Sequence, residues 1–273
     1  MDSPQGRIVS AYASDPRVTA VAIAGSRTSG KSNSASDVDL YVYVTEPLAL
    51  DMRKSIPHGP IVEVDNRYFE PGDEWLDDSG QRFDVMFRDI RWIEDQLDRV
   101  LIRHEASVGY STAFWHNIRS SIALFDRTGW LAALIHRAQC AYPEELRCAI
   151  VRKNYPLLAA NLSSFLFQIE RAIARGDMVS ANHRTAAFLG SLFDILFAVN
   201  RVAHPGEKRL LDFAKDLCPL CPTLLEENVC SMIESAAHCS RATIDIGMSL
   251  VAELDQILRG ESLLPFADTL ECG

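Results

Sequence analysis

The chain has 273 residues, 48% of them hydrophobic and 23% charged, which is enough apolar content for one large packed domain or two of ordinary size and excludes general disorder. A formal net charge of −10 argues against holding long nucleic acid by phosphate neutralisation, because that mode needs basic surface; a cationic small substrate is compatible with it.

The first third alternates strand-like and helix-like segments. Residues 18–24 (VTAVAIA) form a short apolar run ending at Gly25, a buried-strand signal. Residues 37–44 (DVDLYVYV) read as a second strand, with Val38, Leu40, Val42 and Val44 on one face and Asp37, Asp39, Tyr41 and Tyr43 on the other. Residues 61–69 and 82–88 read as third and fourth strands joined by an acidic, Gly-containing loop, PGDEWLDDSG. Residues 90–103 have helical spacing, with Ile93, Leu97, Val100 and Leu101 as the apolar stripe. Residues 121–125 form one more short strand, and the turn Asp126-Arg-Thr-Gly129 marks a boundary between a first domain, 1–128, and a helical second domain, 129–273.

Beyond that turn the helices carry punctuation. Pro143-Glu-Glu marks a start, Gly176-Asp177 an end and a new start, and His204-Pro205-Gly206 a stop. Cys221-Pro222-Thr223 is expected to open the last helix. The N-terminus has no apolar core of signal-peptide length, and the most apolar later run, 186–199, contains Asp194 and falls short of the roughly 20 residues of a bilayer span. Seven scattered cysteines fit reduced thiols. The expectation is a soluble cytoplasmic protein with no membrane partner.

The stretch AGSRTSGKSNSASDVDL, residues 24–40, admits two parsings. From Gly25 to Ser32 it satisfies the phosphate-loop pattern G-x-x-x-x-G-K-[ST]. That loop needs a helix after Lys31-Ser32 whose N-terminal amides hold the phosphates, and here a strand follows instead. In the second parsing Asp37 and Asp39 leave one face of a strand with Cα atoms about 6.6 Å apart. Metals in a two-metal phosphoryl-transfer site sit roughly 3.5–4 Å apart, so carboxylates at this spacing can each bind one and share another. A third carboxylate must come from a neighbouring strand. Asp84, between apolar neighbours facing the other way, suits that role; Glu63 and Asp65, two apart on the third strand, compete with it. Gly25-Ser26 offers close backbone approach and a hydroxyl for a triphosphate.

The set Gly25-Ser26, Asp37-Val-Asp39-Leu40 and Asp84 resembles the polymerase-beta-like nucleotidyltransferase superfamily, and the form GSR-x-x-G followed by SD-x-DL is similar to its small-molecule and minimal branch. The resemblance implies an α+β nucleotidyltransferase fold, a small mixed sheet with flanking helices, followed by an all-helical bundle domain, as in the antibiotic nucleotidyltransferases that modify aminoglycosides or lincosamides. It implies transfer of a nucleoside monophosphate from an NTP co-substrate to a hydroxyl of a small-molecule acceptor, with release of pyrophosphate. Asp37 and Asp39 would hold Mg2+ in a two-metal site; Asp84 would ligate the catalytic metal and accept the attacking hydroxyl's proton, directly or by way of the metal. Ser26 would contact the terminal phosphates, with Gly25, Arg27, Lys31 and Ser36 nearby. A homodimer sharing one cleft also fits the resemblance.

A protein-modifying nucleotidyltransferase of the toxin or antitoxin kind and a non-catalytic nucleotide-sensing module are the alternatives. In the second domain the cluster from Asn200 through Lys208 is expected either to turn Asn200, Arg201 or Lys208 toward nucleotide phosphates or to be a helix cap and solvated loop. Cys218 and Cys221 fit an interhelix turn better than a zinc site, lacking a second close ligand pair. The acidic loop around Trp75 offers Asp73, Glu74, Asp77 and Asp78 either to a cationic acceptor or to solvent.

Overall fold

The computed structural model describes residues 4–24, 37–68 and 70–264, and the chain divides into two compact units. The first comprises residues 1–98 and 114–141, the second residues 99–113 and 142–273. Residues 129–141, which the sequence reading assigned beyond the turn, therefore pack with the first unit, and residues 99–113 pack with the second.

The first unit is built on a six-stranded sheet: β1 (Val18–Ile23), β2 (Val38–Val44), β3 (Ile61–Asn66), β4 (Gly72–Leu76), β5 (Arg82–Asp89) and β6 (Ile122–Asp126), in the order β3-β4-β5-β2-β1-β6. Every neighbouring pair is antiparallel except β2 with β5, which run parallel. Alternation along β2 and β5 sends Val38, Leu40, Val42, Phe83 and Val85 into one core, closed by Ile8 and Tyr12 of α1 (Pro4–Ala13) and by Met52 of α2 (Leu50–Lys54). On the opposite face pack α3 (Ile90–Leu101), α4 (Ala113–Ser120) and α5 (Trp130–Ala138), whose Ile93, Leu97, Trp115, Ile118 and Leu131 are fully buried. Trp130 meets Tyr43 edge-on at 5.3 Å, and Asn117 donates to the Tyr41 hydroxyl at 3.1 Å.

The expected loop PGDEWLDDSG is not a loop. Its first half is strand β4, pairing β3 on one side and β5 on the other. Composition hid it, because Gly and two acids depress strand propensity. What makes it a strand is Asp73, fully buried and held by Arg53 of α2, with Trp75 stacked on Phe83 at 5.1 Å beside it.

The second unit is helical: α6 (Glu144–Ala159), α7 (Phe165–Ala174), α8 (Met178–Val199), α9 (Leu210–Leu217), α10 (Leu225–Ala237) and α11 (Ala242–Gly260). Asp177 caps α8 by accepting from the Ser180 amide at 3.0 Å, and Gly176 supplies the left-handed turn before it at φ 66°. From Gly190 to Val199 the helix α8 is buried on every side, as a helix apolar all round must be. The chain after Cys221-Pro222 forms two helices, α10 and α11, where one was expected; the break is at His238–Ser240, with Cys239 at φ 48°. Among the described residues no helix is long and apolar enough to cross a membrane.

The charge inside this apolar helix is Asp194. Its carboxylate accepts from the Ser111 amide at 3.0 Å, the Ser111 hydroxyl at 2.6 Å and Asn154 at 3.2 Å, tying residues 107–112 to α6 and α8. Burial pushes its pKa from 3.8 up to about 6. A folded-state pKa above the unfolded value adds stability that is complete below 3.8 and is lost as pH rises through about 6. Thermal melts of wild type and Asp194→Asn, which mimics the neutral acid, are therefore expected to lie closest in acid and to separate as pH rises from 4 to 7, with wild type falling relative to the variant. Parallel profiles across that window would contradict the assignment.

Candidate active site

Asp37 and Asp39 face the same way because they flank Val38 at the start of a strand, as the period of two requires. The parallel pairing of β2 with β5 then sets Asp39 directly opposite Asp84, on strands about 4.8 Å apart. Antiparallel pairing continues the row: Asp84 is opposite Glu74 of β4, and Glu74 is opposite Glu63 of β3. Four acidic residues on four adjacent strands thus occupy one line across the sheet, with Asp37 beside it.

Arg82 is the cation set among them. It pairs with Glu74 at 2.6 Å and lies 3.9 Å from Asp37. Burial, and then the charges of Glu74, Asp39 and Asp37, push the pKa of Asp84 up to about 6 against the opposing pull of Arg82.

Asp65 does not share a face with Glu63, contrary to the simple alternation. The register between β3 and β4 shifts across Val64 and Asn66, and Asp65 adopts φ 64°. This extra residue sends Asp65 to the other face, where it accepts from Arg53 at 3.1 Å, and leaves Asn66 donating to Glu74 at 3.1 Å. Asp73 is likewise committed to Arg53 and is unavailable to a cationic acceptor. Glu74, which the sequence reading placed in an acidic loop open to a cationic acceptor or to solvent, is instead on strand β4 and in line with Asp84.

The lower part of the same face is neutralised. Arg88 is buried, pairs with Glu70 through Nε at 2.9 Å, donates to Asn117 at 2.8 Å and lies 3.9 Å over the Tyr41 ring. Arg88 is thus held by a carboxylate, an amide oxygen and an aromatic face, while Asp84 at the other end of β5 lies opposite two further carboxylates, Asp39 and Glu74.

Gly25, Ser26, Arg27, Lys31, Ser32 and Ser36 lie outside the described residues. In the second unit Asn200 closes a loop, donating to the carbonyls of Leu196 and Leu220 at 2.8 Å each, and Arg201 pairs with Glu144 at 2.6 Å. Both side chains serve the helical unit itself. Lys208 is exposed. Cys218 belongs to the helical core, and burial pushes its thiol up to about 12.

A family model described as a domain of unknown function (DUF4037) matches residues 116–210. No curated protein matches. Among solved structures, a nucleotidyltransferase-like protein from Exiguobacterium sibiricum 255-15 is similar at 15% identity and a TM-score of 0.45, over 95% of this chain and 76% of that one. An aminoglycoside 6-adenyltransferase from Bacillus subtilis is similar at 10% identity and a TM-score of 0.31, over 98% of this chain and 94% of that one.

Among the described residues no group of three or more His, Cys, Asp or Glu side chains is closed around a single metal position. The donor chemistry of Asp37, Asp39 and Asp84 nonetheless fits a hard divalent cation: all are carboxylate oxygens, and Asp39 and Asp84 are direct cross-strand partners.

Proposed function

We propose that the chain is a magnesium-dependent nucleotidyltransferase that moves a nucleoside monophosphate from an NTP to a hydroxyl of a small molecule. The observation that carries this reading is the register that sets Asp39 opposite Asp84, with Asp37 two residues from Asp39 at the start of the same strand.

In this reading Asp37, Asp39 and Asp84 hold Mg2+, which when bound offsets phosphate charge and orients the triphosphate. The acceptor hydroxyl oxygen attacks the α-phosphorus in line with the bridging oxygen to the β-phosphate. That bridging bond breaks and pyrophosphate leaves with its electron pair. Asp84, with a pKa of about 6, is largely ionised at neutral pH and still basic enough to take the hydroxyl proton. The sequence resemblance would put Gly25 and Ser26 at the phosphates, with Arg27 and Ser36 as further cofactor-side groups. Aminoglycosides and lincosamides are the first acceptors to try.

The test is incubation with magnesium, each labelled ribonucleoside triphosphate in turn, and a panel of aminoglycosides, lincosamides and proteins. Expected is label on a small acceptor with equimolar pyrophosphate, abolished by chelation. Absence of triphosphate binding in the presence of magnesium overturns the reading, and label on protein alone redirects it to a protein acceptor.

A further inference from the structure

Glu74 stands in the carboxylate row, yet both of its oxygens are engaged: Oε1 accepts from the Asn66 side-chain amide at 3.1 Å and Oε2 from Arg82 at 2.6 Å. Asn66 reaches it because the bulge at Asp65 shifts the register of β3 against β4. The cation that Glu74 anchors shares a strand and a face with Asp84, two residues further along β5. With Nη2 on Glu74, Arg82 has Nη1 3.9 Å from the Asp37 carboxylate.

Arg53 and Arg88, which pair with Asp73 and Glu70, are buried. The side chains of Arg82 and Asp37 are 49% and 45% exposed, so their contact is open to water and ions and adds little to stability. Its effect falls on the charge of the site instead. A fixed positive charge beside Asp37 disfavours a second cation there, whereas the anion that holds it favours one.

We propose that Arg82 is the counter-ion of the metal-binding carboxylates in the metal-free chain and Glu74 the residue that positions it, the pair setting how tightly Asp37, Asp39 and Asp84 take a divalent cation. The proposal rests on the metal-site reading given above. Neither residue is a donor in that site: Glu74 is occupied, and a guanidinium has no acceptor to offer. Removing the arginine leaves the same three donors in a more negative field. Removing the charge of Glu74 weakens that field and frees the guanidinium to close on Asp37.

The probe is Mn2+, titrated by calorimetry into the full chain without nucleotide. At low ionic strength Arg82→Met is expected to bind it about three- to tenfold tighter than wild type, and Glu74→Gln weaker by a similar factor, from Coulomb's law for a divalent and a monovalent charge roughly 6–8 Å apart in water. Arg82→Lys, which keeps the charge, and the double variant Arg82→Met with Glu74→Gln, which restores the sum of charges, are both expected near wild type. At roughly 1 M salt the differences are expected to shrink, because the screening length falls to about 3 Å. Asp39→Asn, which removes a donor, is expected to lose the binding that Arg82→Met strengthens. A merely structural pair would lower affinity in both single variants, and that result overturns the proposal. So do equal affinities of Arg82→Met and wild type, or Mn2+ held as well by Asp39→Asn as by wild type. Opposite shifts in a chain that transfers no nucleotide sink the proposed function and leave this pair standing; transfer abolished by chelation, with the affinity of Arg82→Met unchanged, does the reverse.

Discussion

Asp84→Asn is expected to lower the proposed nucleotidyl transfer by about 10³-fold or more, since on that proposal it removes both a metal donor and the proton acceptor, while raising the melting temperature of the metal-free protein. The opposite signs have one cause. In the fold Asp84 is ionised against burial and against Glu74, Asp39 and Asp37, which lifts its pKa from 3.8 to about 6. A raised folded-state pKa means stability present in acid and lost as pH climbs through about 6, so ionised Asp84 weakens the metal-free fold at neutral pH. The full shift corresponds to roughly 3 kcal/mol, but Asp84 is only half-buried and solvent screening reduces the expected gain to about 1 kcal/mol, or about 2–4 °C. Below pH 4 the melting temperatures of the two proteins are expected to converge. With magnesium and nucleotide added, wild type is stabilised by ligand binding to the native state and the variant far less, so the order reverses. A variant that is inactive because it is misfolded would melt lower, not higher. Retained transfer would remove Asp84 from the mechanism, and a lowered melting temperature would refute the charge argument.

Asp73→Ala is expected to destabilise the first unit by about 3–5 kcal/mol, the range for removing one partner of a buried ion pair. Asp73 is fully buried and holds Arg53 through both carboxylate oxygens, with the Asp65 amide donating at 2.9 Å as well. Arg53 also donates to the Gly72 carbonyl at 3.1 Å and covers the Phe87 ring at 4.3 Å. Truncating Asp73 leaves that guanidinium inside with only Asp65, at the solvent edge, to answer its charge. The double substitution Arg53→Met with Asp73→Leu removes both charges and is expected to cost less than Asp73→Ala alone. Chemical denaturation with constant slope measures both. An unchanged midpoint for Asp73→Ala, or a double variant weaker than the single, contradicts the account.

The same pair explains where sequence reasoning stopped. Strand β1 was legible as a short apolar run, and β2 and β5 because alternation of Val, Leu and Phe with polar residues is a local signal; the helices were legible from Pro143, Gly176-Asp177 and the Ile93-Leu97-Val100 stripe. Strand β4 was not, because its inward positions include an aspartate whose counter-ion is twenty residues upstream on another element. The displacement of Asp65 was hidden for a related reason: a one-residue bulge leaves composition unchanged and reverses the face of everything beyond it.

What the sequence determined alone was the chemistry available and its local direction: Asp37 and Asp39 on one face of a strand, Asp84 between inward-facing apolar neighbours, a mixed first part and a helical remainder. Those follow from side-chain period and propensity, which act over a few residues. Only the tertiary structure decided that β5, rather than β3, lies parallel beside β2, putting Asp84 opposite Asp39 and bringing Glu74 and Arg82 into the row. Strand order depends on which apolar faces close one core, a property of segments forty residues apart that no local pattern encodes.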